Sequence, residues 1–97
     1  MQFEWDGVKN RANVRRHGFG FADAEEMFRG VLRARPDTSA DYGEERWVGI
    51  GMTHGRVAVI AFTPRPPDTI RVISLRKANR EERKQYEEAL RHGLEEG

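Results

Sequence analysis

From Val31 to Arg76 apolar and polar residues alternate with period two, while the flanking segments carry apolar residues three or four apart. Period two marks strands with one buried face, and the longer spacing marks amphipathic helices. Met1 to Trp5, alternating Phe3 and Trp5 with Gln2 and Glu4, reads as a short half-buried strand. Asp6 then caps a helix in which Val8 and Ala12 continue the face of Trp5, with Gly18 as its left-handed stop. Phe21 to Phe28 forms a second, short helix with Phe21, Ala24, Met27 and Phe28 on one side, and the two helices pair as a hairpin.

Strands are expected at Val31–Arg35, ended by Pro36-Asp37, and at Arg46–Thr53 and Arg56–Thr63, which His54-Gly55 joins by a tight turn. Thr38 to Glu44 is a polar, flexible loop. RVAVIAFT is apolar on both faces, so it takes the centre of the sheet. After the proline-rich turn Pro64–Asp68, Thr69 to Arg76 returns as the last strand. A closing helix from Arg80 to about His92 buries Tyr86, Ala89 and Leu90. The fold class is α+β: an N-terminal helix hairpin, an antiparallel sheet of about four strands and a C-terminal helix, in one domain over residues 1–97.

The stretch IRVISLRKANREERKQY, Ile70 to Tyr86, joins strand to helix through a capping box. Asn79 accepts from the backbone three residues on, and Glu82 reaches back. Arg76 and Lys77 therefore end a rigid strand beside a helix that carries Tyr86. Such a basic cluster suits a phosphate-bearing ligand.

Composition narrows the choice. With 37% hydrophobic and 34% charged residues the surface is densely ionic. Without cysteine there are no disulfides or thiolate metal sites, which fits a reducing cytoplasm. No apolar run approaches a membrane span and no signal peptide is expected. The net charge of +1 argues against sequence-independent coating of DNA, but it hides an asymmetry. Residues 61–80 set five cations against Asp68 alone, whereas residues 81–97 set three against six glutamates. A local polyanion site fits this pattern.

Several fragments together resemble the BrnT family, ribonuclease toxins of type II toxin–antitoxin modules. They are Phe3-Glu4-Trp5-Asp6 with Lys9 and Asn13, Arg16-His17-Gly18, Phe21 with Ala24 and Phe28, and Glu44-Glu45-Arg46-Trp47 with Gly51. Thr63, Arg65, Ile70-Arg71-Val72-Ile73-Ser74, Arg76-Lys77-Ala78 and Glu82-Arg83 with Tyr86 complete the set. The resemblance implies a RelE-like fold, a bacterial cytoplasmic toxin, and RNA cleavage with neither metal nor other cofactor. It also implies a cognate antitoxin of ribbon-helix-helix type, through which operator DNA is bound. Arg29-Gly30, Gly20, Leu75 and the Pro64-Arg65-Pro66-Pro67 turn depart from the family pattern at caps and loops.

Metal-free RNA cleavage needs a base for the 2′-hydroxyl proton, cations for the crowded phosphorane and an acid for the leaving 5′-oxygen. Arg76 is the leading candidate for the cationic clamp, with Arg65 and Arg46 beside it; the plainer readings are an ion pair with the acidic C-terminal helix for Arg76, a solvated loop charge for Arg65 and an ion pair with Glu44 or Glu45 for Arg46. His17, at a helix end, is a candidate acid or base, or only a dipole cap. Glu45 is a candidate base or an ion-pair partner of an arginine. Arg71, Lys77, Lys9 and Tyr86 are candidate RNA contacts, although Tyr86 is a core residue first. His54 and His92 share no spacing with His17 that suggests a metal site. The alternative function is a non-catalytic module whose basic strand end holds an acidic protein or nucleic acid.

Overall fold

A computed structural model describes the backbone of residues 1–96 and the side chains through Gly93. Its elements are β1 (Gln2–Glu4), α1 (Gly7–His17), a 3-10 turn (Phe21–Asp23), α2 (Ala24–Arg29), β2 (Arg33–Pro36), β3 (Trp47–Thr53), β4 (Arg56–Arg65), β5 (Thr69–Lys77) and α3 (Arg80–Glu96). The strands form one sheet in the order β1-β5-β4-β3-β2. Two expectations need correcting here. The sheet has five strands, not about four, and it is mixed, because β1 pairs with β5 in parallel while every other pair is antiparallel.

The two faces of the sheet are covered differently. On the first, Ala58, Ile60, Phe62, Ile70, Val72 and Leu75 meet Phe19, Phe21, Ala24 and Met27 from α1's exit and α2. Edge-on aromatic pairs, Phe3 with Phe28 and Phe28 with Phe62, tie β1 into this core. On the second face, α3 lays Tyr86 and Leu90 over Val48, Ile50, Val57 and Val59. The central position of β4 follows from its having apolar residues on both faces.

Local signals are realised closely. The Asp6 carboxylate accepts from the amides of Val8 and Lys9 at 2.8 and 3.1 Å, and Gly18 closes α1 at φ +78°. Glu82 accepts from Asn79 N–H at 2.9 Å while Asn79 Oδ1 accepts from Glu82 N–H at 2.8 Å, so the capping box is complete. His54 and Gly55, at φ +53° and +71°, make the two-residue turn in which both central residues are left-handed.

The docking of α1 departs from the apolar-stripe expectation. Val8 is 66% exposed and Ala12 is exposed too, while the buried residue of the helix is Asn13. Its amide donates to the carbonyls of Phe19 and Leu75 at 2.9 and 2.8 Å, and its oxygen accepts from Leu75 N–H at 3.2 Å. Asn10 accepts from Phe21 N–H at 2.7 Å. Two asparagines one turn apart thus hold α1 by hydrogen bonds to backbone, over β5. Nor do α1 and α2 pair as a hairpin: α1 packs mainly on β5 and α2 on β3. A Cβ on Gly49 would stand 3.0 Å from Leu32 Cδ1, so glycine lets the chain leaving α2 lie close on β3.

One irregularity sets the orientation of the last strand. Ala61 pairs with Ser74 and Phe62 with Val72, so Ile73 is an extra residue, a β-bulge. Arg71 pairs with Thr63 and Arg76 with Val59, which share a face of β4 because they are four residues apart. Without the bulge, Arg71 and Arg76, five residues apart, would point to opposite faces. With it, both stand on the second face.

Candidate active site

α3 covers only the half of the second face near the His54-Gly55 turn. On the other half, three arginines from the ends of three elements surround two glutamates. Glu44, in the loop before β3, accepts from Thr63 Oγ1 at 3.1 Å and from Arg46 Nη2 at 3.4 Å, with Arg65 Nη2 at 3.6 Å. Glu4, ending β1, accepts from Arg71 Nη1 at 2.7 Å and lies 4.0 Å from Arg65 Nε. Arg65 bridges the two carboxylates and is 47% exposed. The Arg46 guanidinium stacks 3.9 Å above the Tyr42 ring, and its Nε is buried with no hydrogen-bond partner. Tyr42 is itself held by Asp37, which also ties Ser39, so the loop below Arg46 is anchored.

The electrostatics follow from these contacts. The Thr63 hydroxyl, then the guanidiniums of Arg46 and Arg65, hold Glu44 below the usual carboxylate range. A carboxylate so stabilised is a weak base but a good anchor for guanidinium groups. At the opposite end, Arg76 grips Glu82 with two parallel bonds of 2.8 and 2.9 Å. That clamp, aided by the Asn79 amide, brings the Glu82 pKa from 4.5 to about 2. Because the folded value is depressed, the contribution to stability is full above pH 4.5 and vanishes as pH falls towards 2. Glu82→Gln is therefore expected to lose about 1–2 kcal/mol at pH 7, discounted for partial exposure of both partners. Its thermal melt should fall below the parent's at pH 7 and converge with it near pH 2; parallel curves at both pH values would contradict this.

The arrangement regroups the residues expected from sequence. Arg65, Arg46 and Arg71 come together. Arg76 does not join them: it shares their face, but Val59, its partner, lies six residues from Arg65, roughly 20 Å along the strand. The expectation that Arg65 and Arg76 embrace one phosphodiester is thus corrected. His17 and Lys9 belong to α1, which docks along β5 through Asn13, and among the described residues neither forms a hydrogen bond or ion pair with the arginine cluster. Glu45 accepts from Trp47 Nε1 at 2.7 Å and leaves the arginines to Glu44, its neighbour. Lys77 is exposed at the far end of β5, in register with Ala58. Tyr86 is only 2% exposed and donates to the Val31 carbonyl at 2.6 Å, so its hydroxyl is engaged in packing α3. Glu4 and Glu44 were not separable from other surface glutamates by sequence, since nothing local marks a carboxylate that meets an arginine from a distant strand.

Among the described residues no three His, Asp or Glu side chains stand together as a metal cluster, and no helix is long and apolar enough to cross a membrane. Arg46, Arg65 and Arg71 thus stand together on an open part of the sheet, and guanidinium groups are donors of the type that can bind phosphodiester oxygens. The family description "Ribonuclease toxin, BrnT, of type II toxin-antitoxin system" matches residues 5–82. The chain belongs to the BrnT family, whose members are ribonuclease toxins of type II toxin–antitoxin systems, which implies an RNA substrate and an antitoxin partner. The crystal structure of the Brucella abortus ribonuclease toxin BrnT is similar, with a TM-score of 0.63 and 29% identity over 82% of this chain and 99% of that one. No curated protein matches the chain by sequence.

Proposed function

We propose that the chain is a RelE-like endoribonuclease that cuts single-stranded RNA at the Arg46–Arg65–Arg71 cluster without a metal. The observation that carries this reading is the convergence of three guanidiniums on Glu4 and Glu44. The carboxylates hold the arginines in place before RNA arrives. A scissile phosphate then takes over part of their hydrogen bonding. The charge that builds on the phosphorane meets donors already oriented, which costs little reorganisation.

Attack by the 2′-oxygen on phosphorus, with departure of the 5′-oxygen as it takes a proton from water at the open face, leaves a 2′,3′-cyclic phosphate and a free 5′-hydroxyl. The depressed pKa of Glu44 makes it a weak base and suits it to orienting the guanidiniums. The 2′-hydroxyl proton is assigned to Glu4, which lies between Arg71 and Arg65 and is 42% exposed. The biological setting is a bacterial toxin–antitoxin module whose ribbon-helix-helix antitoxin neutralises this chain and carries the complex to operator DNA. The test is to incubate total RNA with the purified protein in EDTA and analyse the ends. Cyclic-phosphate termini are expected; intact RNA, or cleavage that EDTA abolishes, refutes the proposal.

A further inference from the structure

The second face carries another feature beside the cluster. Between β2 and α3 runs a groove of about 430 Å³, a volume typical of small-ligand sites. Val48, Ile50 and Val59 make an apolar floor, Arg33 and Arg35 form the β2 wall, and Gln85 stands on the α3 wall. Arg33 and Arg35 are two residues apart and pair with Ile50 and Val48, so both belong to the second face. Neither forms an ion pair among the described side chains, and both are exposed. The carboxylate lining the groove, Glu82, is taken by Arg76, and Glu88 stands in the adjoining depression beside Arg33, so Arg33 and Arg35 are the cations of the groove itself.

The groove and the cluster are neighbours on the second face, although no cluster residue lines the groove itself. Arg46 lies two residues before Val48, the partner of Arg35, so Arg46, Arg35 and Arg33 make a row leading from the cluster into the groove. Along β2, Arg35 and Arg33 are about 7 Å apart, comparable with neighbouring phosphates on an extended strand. An apolar floor between cations suits a base with its flanking phosphates. Gln85 Nε2 makes only an exposed 3.3 Å contact with Glu81, which leaves its amide oxygen for a base edge. Gln85 also lies beyond the residues 5–82 that the family description matches, so that wall is not part of the matched region.

We infer that this groove is a subsite for the nucleotides flanking the scissile phosphate, with Arg33 and Arg35 on phosphates and Gln85 reading the base. The inference rests on the ribonuclease reading of the cluster. It is tested with the full chain and a fluorescent 2′-O-methyl RNA octamer, which lacks the nucleophile and so reports binding alone. Replacing both arginines, as R33A/R35A and as the longer-chained R33Q/R35Q, is expected to weaken binding at least tenfold while melting stays unchanged. The slope of log affinity against log salt should flatten by about 1.4, two phosphate contacts' worth for a single strand. Cleavage of a dinucleotide should persist in both variants, and Gln85→Ala should redistribute cleavage positions on a long RNA.

Parent-like affinity and salt slope in both double variants would overturn the subsite even if the parent cleaves RNA. So would lost antitoxin binding with RNA binding intact, which gives the groove to a protein partner. Groove-dependent RNA binding by a parent chain that cuts nothing would uphold the subsite and refute the nuclease reading.

Discussion

Arg65→Ala is expected to slow RNA cleavage by about 10²–10³-fold, the usual loss when one oriented donor to a developing oxyanion is removed. Arg65 is the residue to remove because its guanidinium spans Glu44 and Glu4 and remains half exposed to an incoming phosphate. The loss should fall on kcat more than on KM, since a donor that tightens on the phosphorane contributes chiefly in the transition state. Arg65→Lys should recover only part of it, because an ammonium cannot present the same planar fork. Stability should hardly change: its ion pairs are long, at 3.6 and 4.0 Å, and exposed pairs contribute less than about 1 kcal/mol. Arg46→Ala should show a similar rate loss, and the double variant should cost less than the product of the two, as expected for groups on one phosphate. A fully active, well-folded Arg65→Ala would place the chemistry elsewhere.

The largest stability effect is expected at a polar residue. Asn13→Ala removes three hydrogen bonds and leaves the Phe19 and Leu75 carbonyls and the Leu75 amide without their side-chain partner in a buried seam. Unsatisfied buried groups cost about 1–3 kcal/mol each, and partial relaxation makes about 3 kcal/mol reasonable for the variant. In a domain of this size that lowers the melting temperature by more than about 10 °C. Asn13→Asp should be no better, because a carboxylate would face two carbonyl oxygens it cannot donate to. The replacement Val8→Ser, at an exposed site on the same helix, is the control and should change little. A drop below about 1 kcal/mol for Asn13→Ala would mean that α1 is held by something other than this amide.

The family resemblance and the local elements were readable because their causes are short-ranged. Asp6 reaches amides two and three residues on, Asn79 and Glu82 close their box within one turn, and the alternation from Trp47 to Thr53 needs only its own neighbours. The candidate site was readable only in kind. Arginines near the ends of the last strands were apparent; their grouping was not. Arg76 ranked above Arg71 because it sits beside a capped helix, yet that cap supplies Glu82, which occupies it.

The amino-acid order by itself determined the helix caps, the tight turn, the doubly apolar central strand and the concentration of positive charge before the last helix. Tertiary structure alone decided which cations meet. A single extra residue at Ile73 turns Arg71 and Arg76 to one face, parallel pairing of β1 delivers Glu4 to Arg71, and the docking of α1 along β5 leaves His17 at the end of that helix away from Asp6 and without a contact to the arginines among the described residues. Each of these depends on registers between segments distant in sequence, where a one-residue shift reverses every side chain, and no local pattern encodes that choice.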